Sequence, residues 1–329
     1  MLLRLLPLVT MALGAPLALN ASQTPSLFIP GIDKGGTSEA YLALLDAAPF
    51  VEGATKEPGC LYQRDVAGCY RRSFPGGGAS VDATPNYAWA YLIDAAAFAR
   101  AAAPKAVSIF FLRRPAKRIR SLHNYWKADQ RIGARLGAAV DAHVRVELDY
   151  LSTPASARLL GTLLGPAPTH AAYAALCRGL GPWIAAERPA SCAAVTGPGS
   201  VDRGAGCPVH VPFLATTLYY ALLKNWLAHY DADDVAVLES ESYWRDPELL
   251  LRLFPGRAGR RRLHANEAAY RTPPLSPALE AELEAFFEAP NAALRGLLAA
   301  WPSEHARVAP DPEAPGTWWR ASGRGVIKP

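Results

Sequence analysis

Near its start the sequence sets a short apolar run, Leu27, Phe28 and Ile29, before Ile32-Asp33-Lys34-Gly35-Gly36-Thr37-Ser38, and then a helical pattern of Tyr41, Leu42, Leu44 and Leu45. A strand that turns through paired glycines into a helix constrains a chain closely, because backbone and helix N-terminus must converge on one spot. That spot is an anion cradle. Glycines let backbone N–H groups approach a phosphate, the helix presents its positive end, Lys34 adds a point charge, and Thr37 and Ser38 add hydroxyl donors. The nucleotide-triphosphate loop G-x-x-x-x-G-K-[ST] has a different order. Here the lysine precedes the glycine pair, and no further glycine stands upstream at the required distance.

A second unit of the same kind runs from Val107 to Tyr125. The apolar stretch Val107 to Leu112 has the length and the β-branched and aromatic content of a buried parallel strand, and Pro115 suits the first turn of a following helix. Arg113 is therefore placed at the carboxyl end of a strand, the edge where open α/β sheets bind ligands. Ser121 falls about two helical turns later, so that a forked guanidinium and a hydroxyl can meet on one phosphate. The competing reading of Arg113, Arg114, Lys117, Arg118 and Arg120 is a solvated basic helix face.

Together these motifs resemble those of sulfotransferases that use 3′-phosphoadenosine 5′-phosphosulfate (PAPS), particularly the heparan-sulfate or carbohydrate type. In that family a lysine, two glycines and hydroxyl residues hold the 5′-phosphosulfate, and a strand-Arg-x-Pro-helix-Ser unit holds the 3′-phosphate. The resemblance implies that Lys34, Gly35, Gly36, Thr37, Ser38, Arg113 and Ser121 bind PAPS, with Lys34 also catalytic. Thr55-Lys56-Glu57-Pro58 resembles the family segment that carries a glutamate base, which makes Glu57 the catalytic base and leaves nearby Glu52 as its rival.

Looser likenesses and some departures follow. Val81-Asp82-Ala83-Thr84-Pro85-Asn86-Tyr87 resembles Glu-Lys-[Ser/Thr]-Pro-x-Tyr with Ala83 at the lysine position, and Arg114 stands where the family usually has an acid. The aromatic helix Tyr219 to Trp226, the strand Val235 to Leu238 and its Asp246-Pro247, and a terminal helix in Leu275 to Leu298 keep the family order. The disulfide-bracketed loop of the heparan type has no counterpart in Asn266 to Pro274, which offers Arg271 and no cysteine. The implied fold is α/β, a P-loop-like sulfotransferase fold with a central, mainly parallel sheet flanked by helices. It spans residues 26–302, preceded by residues 1–25 and followed by a tail, 303–329.

The function this implies is transfer of the sulfuryl group of PAPS to a hydroxyl or amine of an acceptor, a carbohydrate by resemblance. Two alternatives stay open: a non-catalytic glycan-binding relative of the same fold, which Ala83 favours, and a P-loop nucleotide-dependent kinase, which the lysine–glycine order disfavours. The acceptor cleft is expected within residues 127–212, which match no motif.

With 329 residues, half of them hydrophobic, the chain is long enough for one large α/β domain. The net charge of +5 suits an anionic ligand, although arginine-rich composition gives the same figure without one. No nucleic-acid module is recognisable. The scattered histidines form no His-x-x-x-His pair and there is no Cys-x-x-Cys, so no metal site is expected. Arg4 and the apolar stretch Leu5 to Leu19 read as a secretory signal or a short signal-anchor. That places the chain in the secretory pathway, in the Golgi lumen or membrane or secreted, with membrane contact only through such an anchor. Asn20-Ala21-Ser22 is a glycosylation sequon. In an oxidising lumen, Cys60 with Cys69 and Cys177 with Cys192 are plausible local disulfides, with Cys207 left over.

Overall fold

The computed structural model describes residues 24–47, 50–89, 93–128, 140–187, 212–251, 253–254 and 273–300. Its centre is a four-stranded sheet of β1 (Leu27–Gly31), β2 (Val81–Asp82), β3 (Val107–Leu112) and β4 (Val235–Glu239), in the order β2-β1-β3-β4. Every pairing is parallel, with Phe28 opposite Ser108 and Ser108 opposite Val235. The strands are near-continuous apolar runs because a parallel sheet is covered on both faces.

The two faces can be read off alternate residues. Phe28, Phe110, Leu112, Val235 and Val237 enter one core together with Trp226 and Phe287. Leu27, Ile29, Ile109, Phe111 and Leu238 enter the other with Tyr41, Leu44, Tyr243 and Leu250. This period of two is what a pleated strand requires. Each large side chain buried this way stabilises by about 1.5–3 kcal/mol.

Helices α1 (Thr37–Ala47), α2 (Val66–Ser73), α3 (Ala95–Ala102) and α4 (Pro115–Ala128) follow the first strands, and α5 (Val140–Leu151), α6 (Pro154–Leu164) and α7 (His170–Glu187) form a helical layer beyond them. Next come α8 (Tyr219–Leu227), then α9 (Ser240–Arg245), α10 (Glu248–Leu251) and the long α11 (Pro277–Ala299). Sequence chemistry sets several starts: Asp65 accepts from Gly68 N at 2.7 Å, Thr153 caps α6 ahead of Pro154, and Pro115 opens α4. From β1 the chain moves outward to β2, then returns past β1 to β3 and β4. The switch point therefore lies between β1 and β3, and their carboxyl ends face the same edge.

Cys60 and Cys69 form a disulfide that ties a 3-10 turn, Cys60–Tyr62, to α2. The expected partnership of Cys177 with Cys192 is not found. Cys177 is a free thiol on the core-facing side of α7, where burial pushes its pKa well above the ordinary value. Cys192 and Cys207 lie outside the described residues, as do the apolar N-terminus with its sequon, the Asn266–Arg271 segment and the whole C-terminal tail. Among the described residues no helix is long and apolar enough to cross a membrane. Peptide mapping without reductant should recover Cys60 and Cys69 linked, with Cys177 alkylated only after denaturation. Replacing both linked cysteines by serine should cost about 2–4 kcal/mol in chemical denaturation.

Candidate active site

Three strand ends build the site. After β1 the chain makes a tight loop: Ile32 N donates to Phe111 O of β3 at 3.2 Å, and Gly35 N donates to Ile32 O at 2.9 Å. A Cβ on Gly35 would stand 2.4 Å from Phe111 O, so only glycine lets the loop lie this close to β3. Gly36 has φ 101, and Lys34 is itself left-handed at φ 65, a conformation that costs a side-chain-bearing residue about 1–2 kcal/mol. Because Gly35 N–H closes the turn, it is not one of the donors turned outward. The N–H groups of Gly36, Thr37 and Ser38, at the start of α1, have no protein acceptor among the described residues.

Arg113, just beyond β3, reaches this loop directly. Its Nη1 donates to Lys34 O at 3.1 Å, and its guanidinium lies 4.8 Å from the Trp244 ring. The β4 end contributes from the other side: Ser240 Oγ donates to Gly35 O at 2.7 Å, and Trp244 of α9 packs on Gly36. Ser121 sits on the buried side of α4. Neighbouring Arg114, the departure from the family pattern, turns away to pair with Glu284 and Glu280 of α11, while its N–H donates to Glu241 at 3.2 Å.

Sequence reasoning missed what holds this loop in place. Arg118, one of the residues of the basic run, is fully buried and forms an ion pair with Asp33 of the loop. Arg118 Nε also donates to Asp33 O at 3.2 Å, and Nη1 donates to Thr216 Oγ1 at 3.2 Å and to Thr217 Oγ1. Trp89 Nε1 donates to Asp33 Oδ1 at 3.2 Å. The segment that carries both threonines is itself anchored by buried Glu147 of α5, which accepts from Phe213 N and Leu214 N, each at 2.6 Å. The solvated-face reading of the basic run therefore fails at Arg118 and holds at exposed Lys117. His123 of the same helix is also fully buried, 5.2 Å ring to ring from His143.

At the outer edge Ala83 N donates to Lys56 O at 3.1 Å, and Gly59 N to Thr84 Oγ1 at 3.1 Å, so the segment with Glu57 follows the carboxyl end of β2. Glu57 is exposed and pairs with Lys56. Ala83 is fully buried. Beside it, Asp82 is a fully buried hub that accepts from Thr84 N at 3.1 Å, Thr84 Oγ1 at 2.6 Å, Tyr70 Oη at 3.0 Å and Tyr87 Oη at 2.9 Å. The only sequence signal for this hub was the aspartate's place at the end of a short strand.

No protein-family model matches this sequence, and no curated protein is similar to it. Among solved structures, a sulfotransferase from Alicyclobacillus acidocaldarius is similar at a TM-score of 0.41 and 20% identity, over 83% of this chain and 95% of that chain.

Burial raises the Asp82 carboxyl from 3.8 to about 6, against the Thr84, Tyr87 and Tyr70 bonds that lower it. A folded pKa above the unfolded one means that this contribution to stability is complete below about pH 4, is lost as pH rises to about 6, and stays lost above that. The loss amounts to roughly 3 kcal/mol. Asp82→Asn cannot ionise, so thermal melts between about pH 4 and 6 should show that part of the decline in the parent protein and not in the variant.

Proposed function

We propose that this chain is a sulfotransferase that takes its sulfuryl group from PAPS and delivers it to a hydroxyl or amine of a carbohydrate, in the manner of the heparan-sulfate type. The observation that carries this reading is the hydrogen bond from Arg113 to the Lys34 carbonyl. Two phosphate motifs that lie far apart in sequence meet at the switch point of one parallel sheet.

The residues present fit the donor. The outward N–H groups of Gly36, Thr37 and Ser38, the two hydroxyls and the helix N-terminus suit a 5′-phosphosulfate, while Arg113 and Ser121 suit a 3′-phosphate. When bound, the donor supplies the sulfuryl group. Lys34 then places positive charge where negative charge develops on the leaving phosphate oxygen. Glu57, which pairs with Lys56 at the same edge, takes the acceptor proton. A lysine at the Ala83 position would have to be buried, whereas Lys56, bonded to Ala83 through its carbonyl, brings a cation to the same edge.

The glycan-binding alternative rests on that missing lysine. Transfer of labelled sulfate from PAPS to a panel of glycans separates the two: incorporation supports the enzyme, and binding of glycan without incorporation supports the binder. The apolar N-terminus and the Cys60–Cys69 disulfide support a secretory lumen as the setting.

Arg113→Ala should weaken binding of 3′,5′-adenosine bisphosphate by about 2 kcal/mol in calorimetry and affect adenosine 5′-phosphosulfate much less. Equal losses for both ligands would argue that Arg113 only shapes the loop. Glu57→Gln keeps size and removes charge, so cofactor affinity should persist while turnover drops about a hundred- to ten-thousand-fold. Loss of activity in Glu52→Gln instead would move the base to that residue.

A further inference from the structure

Lys34 and Tyr125 belong to different strand–turn–helix units, yet Lys34 Nζ stands 4.6 Å from the centroid of the Tyr125 ring. Tyr125 is 51% exposed, unusual for a large side chain in this structure. Its ring meets Trp126 at 5.5 Å, Trp126 lies 6.3 Å from Trp89, and Trp89 donates to Asp33, the residue before Lys34. The aromatic series thus begins and ends at the anion loop.

Resting on the reading of Lys34 as the cation of that loop, we propose that Tyr125 is a positioning residue that fixes where the Lys34 ammonium stands. An ammonium on a flexible four-carbon stem samples many rotamers, and its charge is then spread over the mouth of the site. A ring face attracts the ammonium through its quadrupole and narrows that spread.

The test uses the full chain with 13C at the lysine ε carbons, the Lys34 resonance being assigned by its disappearance in Lys34→Arg. Protons over a ring face resonate upfield, so the Lys34 signal should be displaced upfield of exposed lysines in the parent and in Tyr125→Phe. In Tyr125→Leu it should return to the position of exposed lysines. A parent signal already at that position, or one unmoved in Tyr125→Leu, overturns the proposal. In the transfer assay Tyr125→Leu should lower kcat by roughly two- to fivefold at unchanged acceptor KM, with Tyr125→Phe restoring it. An unchanged kcat in Tyr125→Leu likewise overturns the positioning role. If the parent chain transfers no sulfate, the proposed activity fails instead, and the resonance still decides whether Tyr125 holds Lys34.

Discussion

Asp33 and Arg118 form a buried ion pair between the anion loop and the helix behind β3, and the shape of the site follows from it. Moving two charges out of water is expensive, and such a pair persists only when its remaining donors and acceptors are satisfied. Here they are satisfied on every side. The guanidinium bonds the Asp33 carboxylate and carbonyl and both threonine hydroxyls, and the carboxylate also accepts from Trp89. The loop is thereby fixed by its side chain as well as its backbone, which helps Lys34 keep a left-handed conformation that an isolated peptide would abandon.

From this anchor the rest of the site takes its place. With the loop held against β3, Arg113 can reach the Lys34 carbonyl, Ser240 can reach the Gly35 carbonyl, and Trp244 covers both Gly36 and the Arg113 guanidinium. The polar chain continues outward through Thr216 and Thr217 to the segment held by Glu147, so the helical layer of α5 to α7 is coupled to the anion loop. A site that must hold a multiply charged ligand gains from donors whose geometry is set before the ligand arrives. Rigidity of this loop is therefore a functional property as well as a structural one.

Much of the architecture could be read from local pattern. Leu27 to Ile29, Val107 to Leu112 and Val235 to Leu238 read as buried parallel strands because their apolar runs are short and rich in branched and aromatic residues, and Lys34-Gly35-Gly36 and Arg113-x-Pro115 could be set at strand ends for the same local reason. Long-range pairing was not legible. Arg118 sits in a run of five cations, where solvent is the ordinary environment, and nothing near it in sequence announces an acid 85 residues away. Asp82 likewise owes its raised pKa to burial, against the opposing hydrogen bonds of tyrosines brought in from two other elements. Cys177 looked like half of a local pair, but the face of α7 that carries it turns into the core.

The most direct measurement compares Asp33→Asn, Arg118→Met and the double variant for both unfolding free energy and affinity for 3′,5′-adenosine bisphosphate. If the pair organises the site, each single variant loses about 3–5 kcal/mol of stability, the double loses less than the sum, and all three lose ligand affinity although Arg118 is sealed from solvent. Additive stability losses with ligand affinity at the parent value would contradict the account, since the loop would then keep its shape without the interaction placed at its centre.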